Sequence, residues 1–276
     1  MKAHKKAGTG IFLSLTILIL IASCSKDKTS TTVPPTLVKE WDVVLNAKFE
    51  SPAPAGRTET GTATIQLYDD NTIKYTIIVT GLTAGDNLTA AHIHWGDALT
   101  NGPVILNFAP TFSGTGTASG NLSLRSTLAD SLKTGNVYFN VHTTQLPGGL
   151  MRGQLNNPVD FAIDVPMVGT NEVPAVTTTA TGLALLRLGT DKTLLSKITV
   201  INLETNDTLI VAHIHGAAAG VNGSVLQGLC ASKDDFGTIK SVALSDVNIT
   251  ALKTGAVYVN AHSKLHPGGI IRGQIR

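Results

Sequence analysis

The sequence predicts an all-β protein made of two tandem copies of one antiparallel β-domain. Short segments of alternating or β-branched residues recur along the chain, separated roughly every 8 to 12 positions by turn residues, with no regular alternation of helices. A set of motifs also occurs twice, about 120 residues apart. That spacing indicates a duplicated domain, because solenoid units are only roughly 20 to 50 residues long. With 276 residues and 42% hydrophobic content, the chain can bury two ordinary cores.

The doubled motif set begins with two histidines spaced i, i+2. Ala91-His92-Ile93-His94 reappears as Ala212-His213-Ile214-His215. On a β-strand, both histidines of a pair point to one face, and the Ala and Ile point to the other. The remaining paired motifs are Asn101-Gly102 with Asn222-Gly223, Tyr-x-Asn-x-His at 138–142 with 258–262, and Pro-Gly-Gly-x-x-Arg-Gly-Gln at 147–154 with 267–274.

Alternation of polar and apolar residues predicts the first four strands. Residues 41–49 alternate loosely, and 60–68 alternate with the strict period of a half-buried strand. An Asp-Asp-Asn turn at 69–71 leads into 72–80, which is rich in β-branched residues and completes a hairpin. The first His-x-His strand follows at about 88–95.

The rest of the first copy continues the same pattern with one exception. Segments 103–108 and 116–124 are predicted short strands, whereas 126–133 has leucines four apart and predicts a short helix across one end of the sheet. Segments 136–143 and 150–155 then form a last hairpin around a Pro-Gly-Gly turn, in which either glycine can adopt the positive φ of the return.

The second copy repeats this order with a few substitutions. Residues 181–188 and 194–203 match 60–67 and 73–82 at an offset of 121. Gly216 stands where the first copy has Trp95, and Cys230 occurs only in the second copy. We expect Cys230 to be a small buried hydrophobic residue in preference to a reactive thiol.

The N-terminus has the layout of a secretory signal. Lys2, Lys5 and Lys6 precede an apolar run at 11–22 that is short for a membrane span. Ile-Ala-Ser-Cys at 21–24 resembles the lipobox of bacterial lipoproteins, which implies lipidation of Cys24; the alternative is an ordinary signal peptide with a chance cysteine. The predicted segments are a signal peptide at 1–23, a flexible tether at 24–37, a first β-domain at 38–156 and a second at 157–276.

Removal of the signal peptide changes the charge balance. The chain then has 18 basic against 19 acidic residues, a net charge near −1, so no basic field predicts nucleic-acid binding. The 5% aromatic content also argues against a stacking platform for bases or sugars. No nucleophile elbow, zinc-protease motif or phosphate loop is present, so we expect no enzyme.

The doubled motifs resemble the CHRD domain, which was first described in chordin, an animal antagonist of bone morphogenetic proteins, and is widespread in secreted bacterial proteins. The resemblance covers nearly all of the chain after the tether. It implies two tandem antiparallel immunoglobulin-like β-sandwich or barrel domains with a limited likeness to copper/zinc superoxide dismutases. The activity of bacterial members is not settled, and chordin's growth-factor binding is not expected in a bacterial lipoprotein.

The histidines are the strongest candidates for chemistry. If the polar strand faces converge, each domain has a set of candidate copper or zinc ligands. These are His92, His94 and His142 in the first domain, and His213, His215 and His262 in the second. Beside them stand predicted structural residues: Tyr138, Asn140, Arg152 and Gln154, and Tyr258, Asn260, Arg272 and Gln274.

The alternative is a polar network without a metal, which the sequence favours. The arginines place a cation near any metal, no carboxylate within the motifs orients an imidazole, and the dismutase's bridging His and metal-binding Asp have no recognisable match. Arg152 and Arg272 are predicted to be buried and hydrogen-bonded to backbone oxygens.

The predicted function is therefore a non-catalytic, lipid-anchored protein of the bacterial cell envelope. The residue after the lipidated cysteine is Ser25 and not Asp, which by resemblance to the sorting of enterobacterial lipoproteins implies the outer membrane. Its partners would be the membrane, through the N-terminal lipid, and an unidentified surface protein or polymer. A copper- or zinc-binding envelope protein is the alternative.

Overall fold

The computed structural model describes residues 1–4 and 33–276. Residues 35–276 form one compact unit, which contains all the strands and helices given below. The predicted signal peptide beyond residue 4, the lipidation site Cys24 and most of the predicted tether lie outside the described residues.

The first domain is one curled antiparallel sheet of eight strands with a short helix. Its elements are β1 (Leu37–Asn46), β2 (Thr60–Tyr68), β3 (Thr72–Thr80), β4 (Leu88–Trp95), β5 (Val104–Asn107), β6 (Thr117–Ser123), α1 (Ser126–Thr134), β7 (Val137–Thr143) and β8 (Met151–Gln154). The strand order is β5-β4-β7-β8-β1-β2-β3-β6. Because β1 pairs with both β2 and β8, it joins the β5-β4-β7-β8 and β2-β3-β6 parts of this domain in one sheet.

The second domain repeats the first in element order and topology. Its elements are β9 (Val159–Val168), β10 (Thr181–Gly189), β11 (Thr193–Ile201), β12 (Leu209–Gly216), β13 (Ser224–Cys230), β14 (Lys240–Ala243), α2 (Asp246–Thr254), β15 (Tyr258–Ser263) and β16 (Ile271–Gln274). The strand order is β13-β12-β15-β16-β9-β10-β11-β14. The prediction of an all-β fold with two antiparallel sandwich-type domains is confirmed.

Local sequence explains the hairpins and the helix ends. In the β2–β3 hairpin, Leu67 pairs with Ile73, and Asn71 takes the positive φ of 62° that the tight return requires. In the second domain, the Ser245 hydroxyl accepts a hydrogen bond from the Asn248 backbone and caps the start of α2. The inward residues of each curled sheet form one hydrophobic core per domain.

The first strand differs from its prediction. It begins at Leu37 and ends at Asn46, whereas alternation suggested residues 41–49. The Asn46 side chain accepts a hydrogen bond from the Lys48 backbone, so the chain turns into a short 3-10 helix at Ala47–Phe49. This turn leads directly to Glu50, which belongs to the candidate site described below.

A buried arginine joins the two domains. Arg187 on β10 is 1% exposed, and its guanidinium donates to Asp164 Oδ1 at 2.7 Å and to the backbone carbonyl of Glu50. The backbone N–H of Ala53 in turn donates to Asp164 Oδ2 at 2.8 Å. At the equivalent position, 121 residues earlier, the first domain has Gln66, which donates to Glu40 at 2.5 Å.

Candidate metal centre

Three histidines of the first domain meet on the outer face of its sheet. His92 and His94 lie on β4, and His142 lies on the neighbouring strand β7. The intervening Ala91 and Ile93 point into the core and are fully buried. One ring nitrogen from each histidine lies within 4.8 Å of the other two, so the structure brings this predicted set together.

Backbone carbonyls determine which nitrogen of two rings is protonated. His94 Nδ1 lies 2.9 Å from the Gly102 carbonyl, and His142 Nδ1 lies 3.0 Å from the Pro147 carbonyl. A carbonyl only accepts, so both Nδ1 atoms donate, and the neutral rings keep a lone pair on Nε2. His142 Nε2 faces His92 Nδ1 at 3.0 Å, whereas His94 Nε2 is buried and has no hydrogen-bond partner among the described residues.

The second domain repeats the arrangement. His215 Nδ1 lies 3.0 Å from the Gly223 carbonyl, and His262 Nδ1 lies 2.9 Å from the Pro267 carbonyl. His213 Nδ1 faces His262 Nε2 at 3.3 Å, and the three rings again offer nitrogens within 4.8 Å of one another. Within the described part of the chain, His215 Nε2 also lacks a partner. The paired Asn-Gly and Pro-Gly-Gly motifs thus supply the carbonyls that orient the imidazoles.

Burial favours the neutral imidazole of His92, His94 and His142 in the first domain. It lowers the pKa of His142 to about 4, with smaller contributions from the neighbouring imidazoles, and it also lowers the pKa of His92 and His94. In the second domain burial lowers the pKa of His213 and His262. Neutral imidazole is the form that ligates metals.

An aromatic ring separates each buried arginine from the histidines. The Arg152 guanidinium carbon lies 3.3 Å from the centre of the Tyr138 ring, and the same ring stacks on His94 with centroids 4.9 Å apart and planes 9° apart. Arg272 lies 3.3 Å from the Tyr258 ring, which stacks on His215. The guanidinium groups therefore stack on the tyrosine rings, although the Arg152 charge still contributes to the lowered pKa of His94.

The same arginines are anchored to loop backbone. Arg152 is 1% exposed and donates to the Thr100 carbonyl at 2.9 Å and to the Asp97 carbonyl. Arg272, also 1% exposed, donates to the Ala218 carbonyl at 3.0 Å. Each arginine thus ties the last strand of its domain to the loop that follows the His-x-His strand.

Gln154 and Gln274 also donate hydrogen bonds to the backbone of this loop. Gln154 Nε2 donates to the Gly96 carbonyl at 3.1 Å, and Gln274 Nε2 donates to the Ala217 carbonyl at 3.1 Å. These arginines and glutamines therefore hold the loop whose Gly102 or Gly223 carbonyl orients an imidazole.

Sequence reasoning missed the buried carboxyl group that contacts the Tyr-x-Asn-x-His asparagine of each domain, Glu50 in the first and Glu172 in the second. Glu50 accepts a 2.5 Å hydrogen bond from Asn140 Nδ2, and burial raises its pKa to about 7. Burial likewise raises the pKa of Glu172, which is near Asn260, to about 7. The available signal was a doubled Glu-x-Pro, at 50–52 and 172–174.

A cavity opens beside the first histidine cluster. It has a volume of about 420 Å³ and is lined in part by Glu50, His94, Asn140 and Gly149. Gly149 has φ +138°, and a Cβ there would lie 2.8 Å from Glu50 Oε1, so glycine is needed to let the turn approach the carboxyl group. His94 forms part of the cavity wall, and its Nε2 is buried.

The family follows from the comparison with known domains. The CHRD domain profile matches residues 41–155 and 163–275. The chain belongs to the CHRD domain family. Chordin of Danio rerio is 25% identical over 236 residues, which is 80% of this chain and 25% of chordin, so this CHRD protein spans about a quarter of that relative's length. No solved structure matches. The CHRD assignment suggests a non-catalytic binding or structural module.

Among residues 1–4 and 33–276, no helix is both long enough and apolar enough to cross a bilayer.

Proposed function

We propose that this CHRD protein binds copper or zinc, one ion in each domain, at a bacterial envelope membrane. One observation supports metal binding above all. In the first domain, carbonyls accept from the Nδ1–H of His94 and His142 and leave their Nε2 lone pairs beside the ring of His92. The second domain repeats both Nδ1 bonds, although His262 Nε2 there also lies 3.0 Å from Asn260 Oδ1. A histidine ligand in a metalloprotein is oriented in this way by a carbonyl or carboxylate on its other nitrogen.

The buried nitrogens without partners fit this proposal. His94 Nε2 and His215 Nε2 are both buried, and a buried acceptor without a partner costs free energy. A network that served only the fold would be expected to satisfy these atoms. A metal ion held by His92, His94 and His142, or by the equivalent triad, would use the lone pairs that the polar-network alternative leaves unpaired.

The donor set favours particular ions. Three neutral imidazoles suit zinc and copper, whereas magnesium and calcium prefer sets of oxygen ligands. The nearby carboxyl groups are already hydrogen-bonded, that of Glu50 to Asn140 and that of Glu172 to Asn260. The triads therefore favour a borderline transition metal over a hard cation.

Metal analysis and calorimetry test the proposal. The full chain, produced without a histidine tag and stripped with a chelator, should bind two zinc or copper ions. His92→Ala/His94→Ala should lose one ion, and His213→Ala/His215→Ala should lose the other. His266→Ala is the matched control, because His266 lies outside both triads and should leave two ions bound.

One outcome would contradict metal binding. If the stripped chain takes up less than one ion per domain, and the double variants only lower the unfolding midpoint, the histidines are a structural network. The protein would then be best described as a non-catalytic surface module that binds a protein or polymer through its loops.

Lipid attachment at Cys24 is a separate part of the proposal and is supported by the sequence pattern around it. Cys24→Ala, or globomycin treatment, should leave unprocessed precursor in the producing bacterium. Cys24→Ser should behave in the same way, because serine keeps the small polar side chain but lacks the thiol. Normal maturation and release of the wild-type protein would exclude lipid anchoring.

A further inference from the structure

A cavity opens in the second domain between the two edge strands of its curled sheet. It has a volume of about 480 Å³, and its wall includes residues of β13, β14 and the neighbouring β11. Ser196, Val211, Cys230 and Val242 are among the lining residues. This volume is within the range of small-molecule sites, roughly 300 to 1,000 Å³.

In the first domain, three aromatic rings occupy the corresponding place. Tyr75 packs edge-on against Phe108 with ring centroids 4.8 Å apart, and Phe108 lies 5.1 Å from Phe139. All three are buried. The aromatic trio thus fills the space between the edge strands.

The second domain replaces all three rings with smaller side chains. At matching positions, Ser196 stands for Tyr75, Leu229 for Phe108 and Val259 for Phe139. The sheet registers support the first match, because Tyr75 pairs with Gly120 and Ser196 pairs with Lys240 at the same step of the ladder. The lost ring volume leaves the cavity.

The neighbouring strand has changed in a complementary way. Gly120 makes room for the tyrosine, since a Cβ there would lie 2.7 Å from Tyr75 Oη. In the second domain Lys240 replaces Gly120 and is bonded to Asp235 at 2.6 Å, on the rim of the cavity. The ion pair compensates the lysine charge, so the rim does not select for a charged ligand.

One polar atom inside the cavity wall lacks a partner. Ser196 is 1% exposed, and its Oγ has no hydrogen-bond partner among the described residues. A buried hydroxyl without a partner costs free energy. A ligand with one hydrogen-bonding group would satisfy it and would occupy the position of the Tyr75 ring.

We infer that the second domain binds a small aromatic molecule with a single hydrogen-bonding group, of the phenol class. The ring takes the place of the missing Tyr75 and Phe108 rings, and its polar group bonds Ser196 Oγ. Cys230, a buried thiol, contributes to the apolar wall. The inference is independent of metal binding. Because His213 of the second triad also lines the cavity, the test uses the metal-free chain.

Calorimetric titration of the metal-free full chain with p-cresol, the side chain of tyrosine, tests the inference. Wild type should bind one molecule per chain. Ser196→Tyr/Lys240→Gly, which rebuilds the arrangement of the first domain, should weaken binding at least tenfold. Ser196→Ala should weaken p-cresol several-fold and leave toluene binding unchanged. Tyr75→Phe is the matched control in the first domain and should bind as wild type does.

Two results would overturn the inference: no p-cresol binding to wild type, or undiminished binding to the rebuilt variant. If Ser196→Tyr/Lys240→Gly does not fold, Leu229→Phe fills the same cavity with a single conservative change and must also weaken binding at least tenfold.

Discussion

Arg187 in the second domain donates a hydrogen bond to the backbone carbonyl of Glu50 in the first. The side chain of the same glutamate accepts from Asn140, on the strand that also holds His142. The domain interface and the first candidate metal centre therefore share one residue. Glu172 occupies the matching place in the second domain, and the residue equivalent to Arg187 is Gln66, which bonds Glu40 instead.

Arg187→Gln should weaken the contact between the domains. The substitution leaves the Glu50 carbonyl and Asp164 without their cation, so we expect a loss of about 2–3 kcal/mol in the free energy of unfolding. Urea denaturation measures this loss. Lys253→Gln is the control, because its ion pair with Asp160 is exposed and should contribute at most about 1 kcal/mol. Equal effects of the two substitutions would contradict the assigned role.

Arg152→Lys and Arg272→Lys should each destabilise the protein by about 1–3 kcal/mol. A lysine keeps the charge but cannot reproduce the fork of donors or the flat contact with the tyrosine ring, and buried carbonyls lose partners. Thermal and urea unfolding provide the measurement. Arg125→Lys, at an exposed position, should change stability by less than about 0.5 kcal/mol. Wild-type stability of both buried-site variants would refute the anchoring role.

Metal binding should persist below the usual pKa of histidine. Burial lowers the folded-state pKa of His142 to about 4 from an ordinary 6.5. The imidazole therefore stays neutral as pH falls through 6.5, and protons compete with the metal only as pH approaches about 4. Zinc titrations between about pH 7 and 4 should show retention at pH 5.5 and release near pH 4. Release centred on pH 6.5 would show that the imidazoles are not shielded.

Arg57→Met should destabilise the first domain by about 3 kcal/mol. Arg57 bonds Glu59 at 2.8 Å and Asp86 at 2.7 Å, and both carboxylates are nearly fully buried. Although burial opposes ionisation, the hydrogen bond from Arg57 helps to lower the pKa of Glu59 to about 2. A depressed acid pKa stabilises the fold above the unfolded pKa and ceases to do so as pH falls through the folded value.

The difference between wild type and Arg57→Met should consequently shrink in acid, which urea unfolding at pH 7 and pH 3 can measure. Lys133→Met, which breaks an exposed pair with Asp130, is the control and should have little effect at either pH. A difference that does not vary with pH would exclude the charged form as the source of the stability.

The parts of the fold that depend on local pattern were predictable from the sequence. Strict alternation placed β2, β-branched residues after an Asp-Asp-Asn turn placed β3, and leucines four apart placed α1. The start of β1 was not predictable in this way, because Leu37 and Val38 are exposed and the pairing partner of β1 lies in the distant strand β2. Polar and apolar residues alternate only where one face of a strand is buried. The exposed end of a strand therefore shows no alternation from which it could be predicted.

The candidate site was predictable only where side chains define it. Spacing and duplication placed the six histidines together. The carbonyls of Gly102 and Pro147, which orient the rings, could not be found, since every residue has a carbonyl and only the folded chain shows its direction. Arg187 was missed because it lies within an otherwise apolar strand and its partner, Glu50, belongs to the other domain.

The contact through Arg187 joins two different surfaces: the Glu50 loop of one domain and a β10 side chain of the next. Such an interface is heterologous, in contrast to the self-complementary contact of a two-fold dimer. In this contact the first domain does not use its own β2 face around Gln66. The second domain likewise does not use its own Glu172 loop. When it is repeated, a head-to-tail contact either closes into a ring or extends as an open array. The same pairing can be repeated along a longer array of the domain wherever an arginine at the Arg187 position and an aspartate at the Asp164 position occur together.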